Sequence, residues 1–174
     1  MALVVFLKGI NVGGYRKFRP SVLAQQLARY DVASVGAAGT FVVRKPVTRT
    51  KLRAELVRRL PFDADIVICD GRDVVRLASS EPFAGQPSDR SIVQFVSALS
   101  RRPRKSMCLS LTIPDSGDWG LKVFATSGPF IYGIYRRQMK AIGYLGQLDK
   151  IFGASATTRS WSTIQAIARI LDKS

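Results

Sequence analysis

Leu3-Val4-Val5-Phe6-Leu7 is an unbroken run of β-branched, aromatic and aliphatic residues, and a glycine-rich segment, Gly9-Ile10-Asn11-Val12-Gly13-Gly14, follows it almost at once. A run this short, bounded by turn residues, is a buried strand rather than a helix. Its main-chain groups must be paired once they leave water, so the chain is committed to a sheet from its first residues. The downstream periods then alternate. Pro20 suits a first helical turn, and Leu23, Leu27 and Tyr30 recur at helical spacing. Thr40–Val43 is a second strand, ended by Lys45-Pro46. A helix from about Thr50 to Leu60 carries Leu52, Leu56 and Leu60 on one face, with Arg53, Arg58 and Arg59 largely off it, and Pro61 stops it. Ala64–Cys69 is a third strand with Asp70-Gly71 as its turn.

A short helix around Asp73–Ala78 leads into a polar loop, Ser79–Arg90. The loop divides the chain into a β-α-β-α-β half, residues 1–80, and a strand-rich half, residues 81–174, either as two halves or as one integrated unit. In the second half Ser91–Leu99 and Met107–Ile113 alternate as strands do, and Leu121–Thr126 and Phe130–Tyr135 form a hairpin around Ser127-Gly128-Pro129. A helix over Tyr144–Phe152 ends at Gly153, and a last helix from about Ser160 carries Ile164, Ile167, Ala168 and Leu171 on one stripe. Helices and hairpins mixed in this way predict an α+β fold with mixed or antiparallel sheets and helices on one face, not a doubly wound parallel sheet. The first half suits a split β-α-β unit of ferredoxin-like type.

The sequence contains no histidine. That removes Ser-His-Asp and Cys-His triads, histidine acid–base chemistry near neutral pH, and histidine-ligated metals. Cys69 and Cys108 sit in apolar runs, as small buried hydrophobes do, and two cysteines build no disulfide framework. Asp63, Asp65, Asp70 and Asp73 alternate around a strand and turn, a pattern of solvated edges more than of a metal site. No metal and no cofactor is expected. The opening apolar run has no basic leader, Lys8 interrupts it, and no stretch approaches the roughly 18 apolar residues of a membrane span. A soluble, cytoplasmic protein without a membrane partner is the expectation.

The formal net charge is +15, unevenly spread. Residues 1–62 hold 12 basic and 2 acidic side chains, residues 63–90 hold 3 and 6, and residues 91–174 hold 12 and 4. Such a surface attracts polyanions, nucleic acid among them. Arginine outnumbers lysine by 18 to 9, however, which genome composition alone can produce, and no aromatic-interleaved RNA-binding octamer or glycine-loop clamp accompanies the charge.

Gly9-x-x-x-Gly13-Gly14 after a strand invites comparison with phosphate-binding loops. It misses the dinucleotide spacing, and Tyr15-Arg16 stand where a P-loop has Lys and Ser or Thr. Two readings stay open. Glycine and asparagine tolerate left-handed backbone, so a tight structural turn accounts for the segment. Alternatively, its amides meet an anion, helped by Lys8, Arg16 or Lys17.

The opening Phe6–Gly14 resembles the hallmark Gly-Ile-Asn-Val-Gly-Gly of the bacterial family known as domain of unknown function 1697. Val35–Val43 falls where that family has an extended segment with Ser-Gly-Asn, here Ala38-Gly39-Thr40. Ile151-Phe152-Gly153 and Thr158-Arg159-Ser160-Trp161-Ser162-Thr163 are similar to its Phe-Gly and Thr-Arg-Asn-Trp-Asn-Thr stretches. The resemblance implies two α+β halves, each related to the ferredoxin-like topology, and no assigned activity. The Ser-Gly-Asn triplet and both asparagines around the tryptophan are replaced in this chain.

The candidate ligand-binding residues are thus Lys8, Gly9, Asn11, Gly13, Gly14, Arg16 and Lys17 in the turn, with Thr40, Arg159 and Trp161 from the other segments. Arg159 and Trp161 either stack to hold a planar anion or anchor the last helix. The favoured function is a basic binding module for a phosphate-bearing or other anionic ligand, a nucleotide or RNA. The alternatives are a histidine-free enzyme acting on a small anionic substrate through carboxylate or lysine, and an interaction or scaffold protein.

Overall fold

The computed structural model of the protein describes residues 1–11, 14, 17–103 and 108–173. The chain divides into two compact units, Met1–Arg76 with Gln165–Ser174, and Leu77–Ile164.

The first unit runs β1 (Leu3–Lys8), α1 (Pro20–Gln26), β2 (Val32–Val35), β3 (Thr40–Val43), α2 (Arg49–Arg59) and β4 (Asp65–Asp70), followed by the start of α3 (Gly71–Ser79). Its sheet is antiparallel in the order β2-β3-β1-β4. This is the split β-α-β arrangement of ferredoxin-like domains. Leu3, Val5 and Leu7 enter a core with Phe41, Val43, Ile66 and Ile68, closed by Leu23 and Ala24 of α1 and Leu52 and Leu56 of α2. Val4, Phe6, Val42, Val67 and Cys69, on the opposite face, are buried too. Burial on both faces is why β1 reads as a continuous apolar run instead of an alternating one.

Thr48 caps α2 by accepting from the Lys51 N–H at 3.2 Å. β4 is an edge strand, and two arginines one turn apart on α2 cover it. Arg49 donates to the Ile68 carbonyl (3.2 Å) and Arg53 to the Ile66 carbonyl (3.0 Å). Open edges invite pairing with other chains, and arginine heads placed on them suppress it. At the other end of β4, Gly71 leaves room for Leu171, whose Cδ2 lies 3.0 Å from where a Cβ would stand. That packing assigns the C-terminal turns to the first unit, a different partition from a cut at residues 80/81.

The second unit contains β5 (Ile92–Leu99), β6 (Cys108–Ile113), β7 (Leu121–Ser127), β8 (Phe130–Arg136), α4 (Ala141–Phe152) and β9 (Ala156–Ser160), and α5 (Trp161–Asp172) begins in it. Its antiparallel order is β6-β7-β8-β5-β9. Without β6, the order β7-β8-β5-β9 repeats β2-β3-β1-β4 strand for strand. In chain order β6 occupies the place of α1. Phe95, Leu99, Val123 and Ile131 meet Leu148 of α4 in the core. The α+β class with ferredoxin-related halves is therefore the observed fold, and both sheets are antiparallel. Among the described residues no helix is long and apolar enough to cross a membrane.

Two strands escape the periodicity reading, β2 and β9. β2 is half-buried at all four positions, and β9 is Ala-Thr-Thr-Arg-Ser, with too little apolar pattern to register. Helix α4 starts at Ala141, three residues before the expected Tyr144, and Gly153 ends it in the left-handed conformation as expected. The strand expected from Met107 begins at Cys108; Met107 itself lies outside the described residues.

Gly133 in β8 has no room for a side chain, because a Cβ would collide with the Lys122 carbonyl of β7 beside a register shift in that ladder. Gly133→Ala should cost at least about 3 kcal/mol, since only backbone movement relieves the clash. Denaturant unfolding of the full chain measures this, and a variant as stable as the parent would show that the ladder yields freely there.

Candidate functional site

The segment leaving β1 is built from left-handed residues: φ is 71° at Gly9, 52° at Asn11 and 78° at Gly14. Asparagine tolerates that region better than other side chains, which explains its place between glycines. Ile10 turns inward and is 4% exposed. It packs against Gly39, whose own φ is 78° and whose added Cβ would strike Ile10 Cδ1 and approach Leu7 Cβ to 2.9 Å. Gly39 O also accepts the Leu7 N–H at 2.8 Å.

Asn11 then ties the corner together. Its Oδ1 accepts from the Phe18 N–H (3.0 Å), and its Nδ2 donates to the Phe18 carbonyl (3.1 Å) and to the Ala37 carbonyl (3.0 Å), 26 residues away. Both amide protons and the oxygen are engaged with main chain. Gly-Ile-Asn and Ala-Gly-Thr are thus two halves of one corner, and the exposed Asn11 shapes it through these three bonds.

The other expected site residues fall as follows. Lys8 is half-buried at the end of β1, opposite Asp65 in register. With Gly9, Asp63, Ala64 and Asp65 it lines a surface hollow of about 410 Å³ of mixed charge. Gly14 and Lys17 are exposed, and the Lys17 Nζ lies 3.9 Å from the Cβ position of Gly14. Gly13 and Arg16 lie outside the described residues. Thr40 is fully buried in β3, opposite Phe6 and Val35.

Arg159 and Trp161 belong to the second unit. Arg159, in β9 opposite Val96, donates to the Thr158 carbonyl at 2.8 Å. Burial pushes its guanidinium down to about 10, so it stays charged at neutral pH. The Trp161 ring stands edge-on to Phe83 at 5.1 Å, and Phe83 also meets Tyr132 at 5.9 Å and Phe124 at 6.5 Å. Trp161 is an anchor at the start of α5, held by aromatic packing.

Much of the positive charge in the first unit is spent on the chain itself. Glu55 receives Arg29 at 2.5 Å, Arg58 at 3.2 Å and Arg59 still closer. Arg44 grips Asp31 with two bonds, 2.8 and 2.6 Å. Asp70 pairs with Arg49 at 2.9 Å and Asp73 with Arg76 at 3.7 Å, so these two carboxylates of the acidic stretch are committed to arginine. The second unit carries a feature that the sequence reading missed. Trp119 has the Lys122 Nζ 4.6 Å and the Arg136 Cζ 4.5 Å from its ring centroid. Its only trace in sequence is a tryptophan three residues before a lysine.

Two antiparallel sheets that share a four-strand order, the second extended by β6 and the first opening on a glycine-rich corner clasped by asparagine, define a tandem ferredoxin-like α+β protein. The chain belongs to the family described as Protein of unknown function (DUF1697), which matches residues 1–127. The Thr158–Thr163 stretch lies beyond the matched span. The solved structure of conserved bacterial protein SP0830 from Streptococcus pneumoniae has the same fold, with a TM-score of 0.64 and 14% identity over 98% of both chains. No curated protein matches the chain significantly.

Asn11→Ala should destabilise the first unit by about 2 kcal/mol through three lost main-chain bonds, lowering the melting temperature by roughly 4–8 °C. An unchanged melting curve would remove the clasp. A second expectation concerns acid. Burial raises the Glu55 carboxyl, but the Arg59 hydrogen bond and the charges of Arg29, Arg59 and Arg58 outweigh it and hold the group below its ordinary 4.5. The Arg44 hydrogen bond holds Asp31 below 3.8. Both pairs therefore stabilise the fold above those values and lose that contribution as pH falls through the lower folded-state values. Melting temperature should decline below about pH 4.5, and Glu55→Gln should flatten part of that decline. A parallel acid limb in the variant would exclude Glu55 as a contributor.

Proposed function

We propose that the protein is a binding module whose N-terminal turn, Gly9–Lys17, receives a phosphate-bearing or other anionic ligand, a nucleotide or an RNA phosphate. The observation that carries this reading is the exposed left-handed backbone at Gly9 and Gly14, held by the Asn11 clasp, with the Lys17 ammonium beside Gly14. Left-handed turns of this kind present successive amides to an anion, and glycine lets the ligand approach the main chain closely. Because Asn11 fixes the corner before any ligand arrives, little ordering cost is left for binding. Lys8 and Lys17 supply charge, while Asp63 and Asp65 on the wall of the hollow disfavour an anion there and direct it toward the Gly14–Lys17 side.

Titration with pyrophosphate, ATP and a short single-stranded RNA tests this. Lys17→Gln and Lys8→Gln should each weaken binding several-fold and, for RNA, reduce the salt slope by about one. Affinity indifferent to both substitutions would exclude the turn as the site.

A further inference from the structure

We propose that the second unit docks on an anionic lipid surface through a tip formed by Trp119, Lys122, Arg136, Met139, Lys140 and Ile142. Trp119 sits in the β6–β7 connection, with Lys122 and Arg136 over its ring. Gly120 beside it is pinned. Its N–H donates to the Ile113 carbonyl and its carbonyl accepts the Arg136 N–H, both at 2.8 Å. Tyr144 and Gln138 occupy the space a Cβ would need there, with Gln138 Nε2 3.0 Å from that position. Gln138 opens the turn into α4 and accepts the Ala141 N–H at 3.0 Å. The same rigid corner therefore presents Met139, 94% exposed, and Ile142, 81% exposed, the two most exposed large apolar side chains among the described residues. Exposed Lys140 lies between them in sequence.

Among the described residues, no carboxylate forms an ion pair with Lys122, Arg136 or Lys140. Asp115 and Asp118 in the same connection are outnumbered by Lys122, Arg136, Arg137 and Lys140. A side chain exposed to 94% protrudes, and protrusions suit a surface that yields better than a rigid pocket. A nucleic-acid strand would account for the cations and the indole but would leave Met139 and Ile142 in water. A bilayer interface accepts all three kinds of group: apolar side chains enter the acyl boundary, the indole sits at headgroup depth, and the cations meet lipid phosphates. Among the described residues no helix is long and apolar enough to cross a membrane, and this surface contact needs none.

Sedimentation of the full chain with vesicles of phosphatidylglycerol and phosphatidylcholine tests the inference, with pure phosphatidylcholine vesicles and a single-stranded RNA as the other arms. Of the two kinds of vesicle, binding is expected to the anionic one alone and should weaken with salt, while RNA held by the turn of the first unit should respond to Lys8→Gln and Lys17→Gln instead. Met139→Asp with Ile142→Asp should reduce vesicle binding at least about tenfold with an unchanged melting curve, and Lys122→Gln and Arg136→Gln should cost about five-fold each. Lys8→Gln and Lys17→Gln, which probe the turn in the other unit, should leave it unchanged. Absence of binding to anionic vesicles at about 50 mM salt would overturn the proposal, as would binding untouched by the two aspartates. So would RNA binding that the glutamines abolish and the aspartates spare, which would assign the tip to nucleic acid.

Discussion

The carboxamide of Asn11 is the interaction on which the first unit's opening corner depends. It sits where the backbone is left-handed, where one acceptor must meet the Phe18 N–H, and where two donors must reach the carbonyls of Phe18 and Ala37. Aspartate tolerates the backbone but lacks the donors, and glutamine carries both functions one methylene too far out. Three independent requirements thus converge on one residue type. Gly39 is fixed by a complementary requirement, since Ile10 occupies the volume any side chain there would need. The most conspicuous motif in the sequence is explained first by folding. Among the described residues of the turn, Gly9, Asn11, Gly14 and Lys17 are exposed.

The two sheets solve one topological problem with different means. In each, a central strand, β1 or β5, pairs antiparallel on both sides, and the strand after the later helix closes one edge. The first unit covers one face of its sheet with two helices, α1 and α2. The second replaces the first of these by β6 and extends the sheet. The added strand demands a tighter ladder: register shifts occur in both β6–β7 and β7–β8, and Gly133 is the residue that lets backbones approach at the second. The extension also creates the β6–β7 connection that carries Trp119, so a surface feature of the second unit follows from its departure from the shared plan.

The elements legible in the sequence are those whose burial leaves a periodic trace. β1, β3, β4, β5, β7 and β8 are apolar on at least one face, and α2 and α5 carry clean stripes. β2 and β9 leave none. The polar Thr157 and Thr158 belong to β9, where Ser97 and Thr158 share a 2.5 Å hydrogen bond that no alternation rule encodes. The turn was recognisable as special from its glycines, but its purpose was not, because the group that completes the Asn11 clasp lies 26 residues downstream. Thr40 drew notice by its place in a motif and proves buried, a distinction only the sheet register decides. The cations around Trp119 come from two strands and the indole from a loop, and spacing along one chain does not encode that meeting.

The same distinction governs the charge. A total of +15 suggests a uniformly cationic surface, yet the arginines of the first unit act largely as main-chain and carboxylate ligands. Arg49 and Arg53 serve the edge of β4, Arg29, Arg58 and Arg59 converge on Glu55, and Arg44 takes Asp31 with both arms of its fork. Lysine, a single point donor, cannot make that two-armed grip, which gives the excess of arginine over lysine a structural cause alongside any compositional one. Net charge is therefore a poor guide to where an anion would bind. The better guide is which cations the fold has left without a carboxylate. In the second unit Lys122 and Arg136 rest on an indole, a partner that orients cations while leaving their charge to act outward.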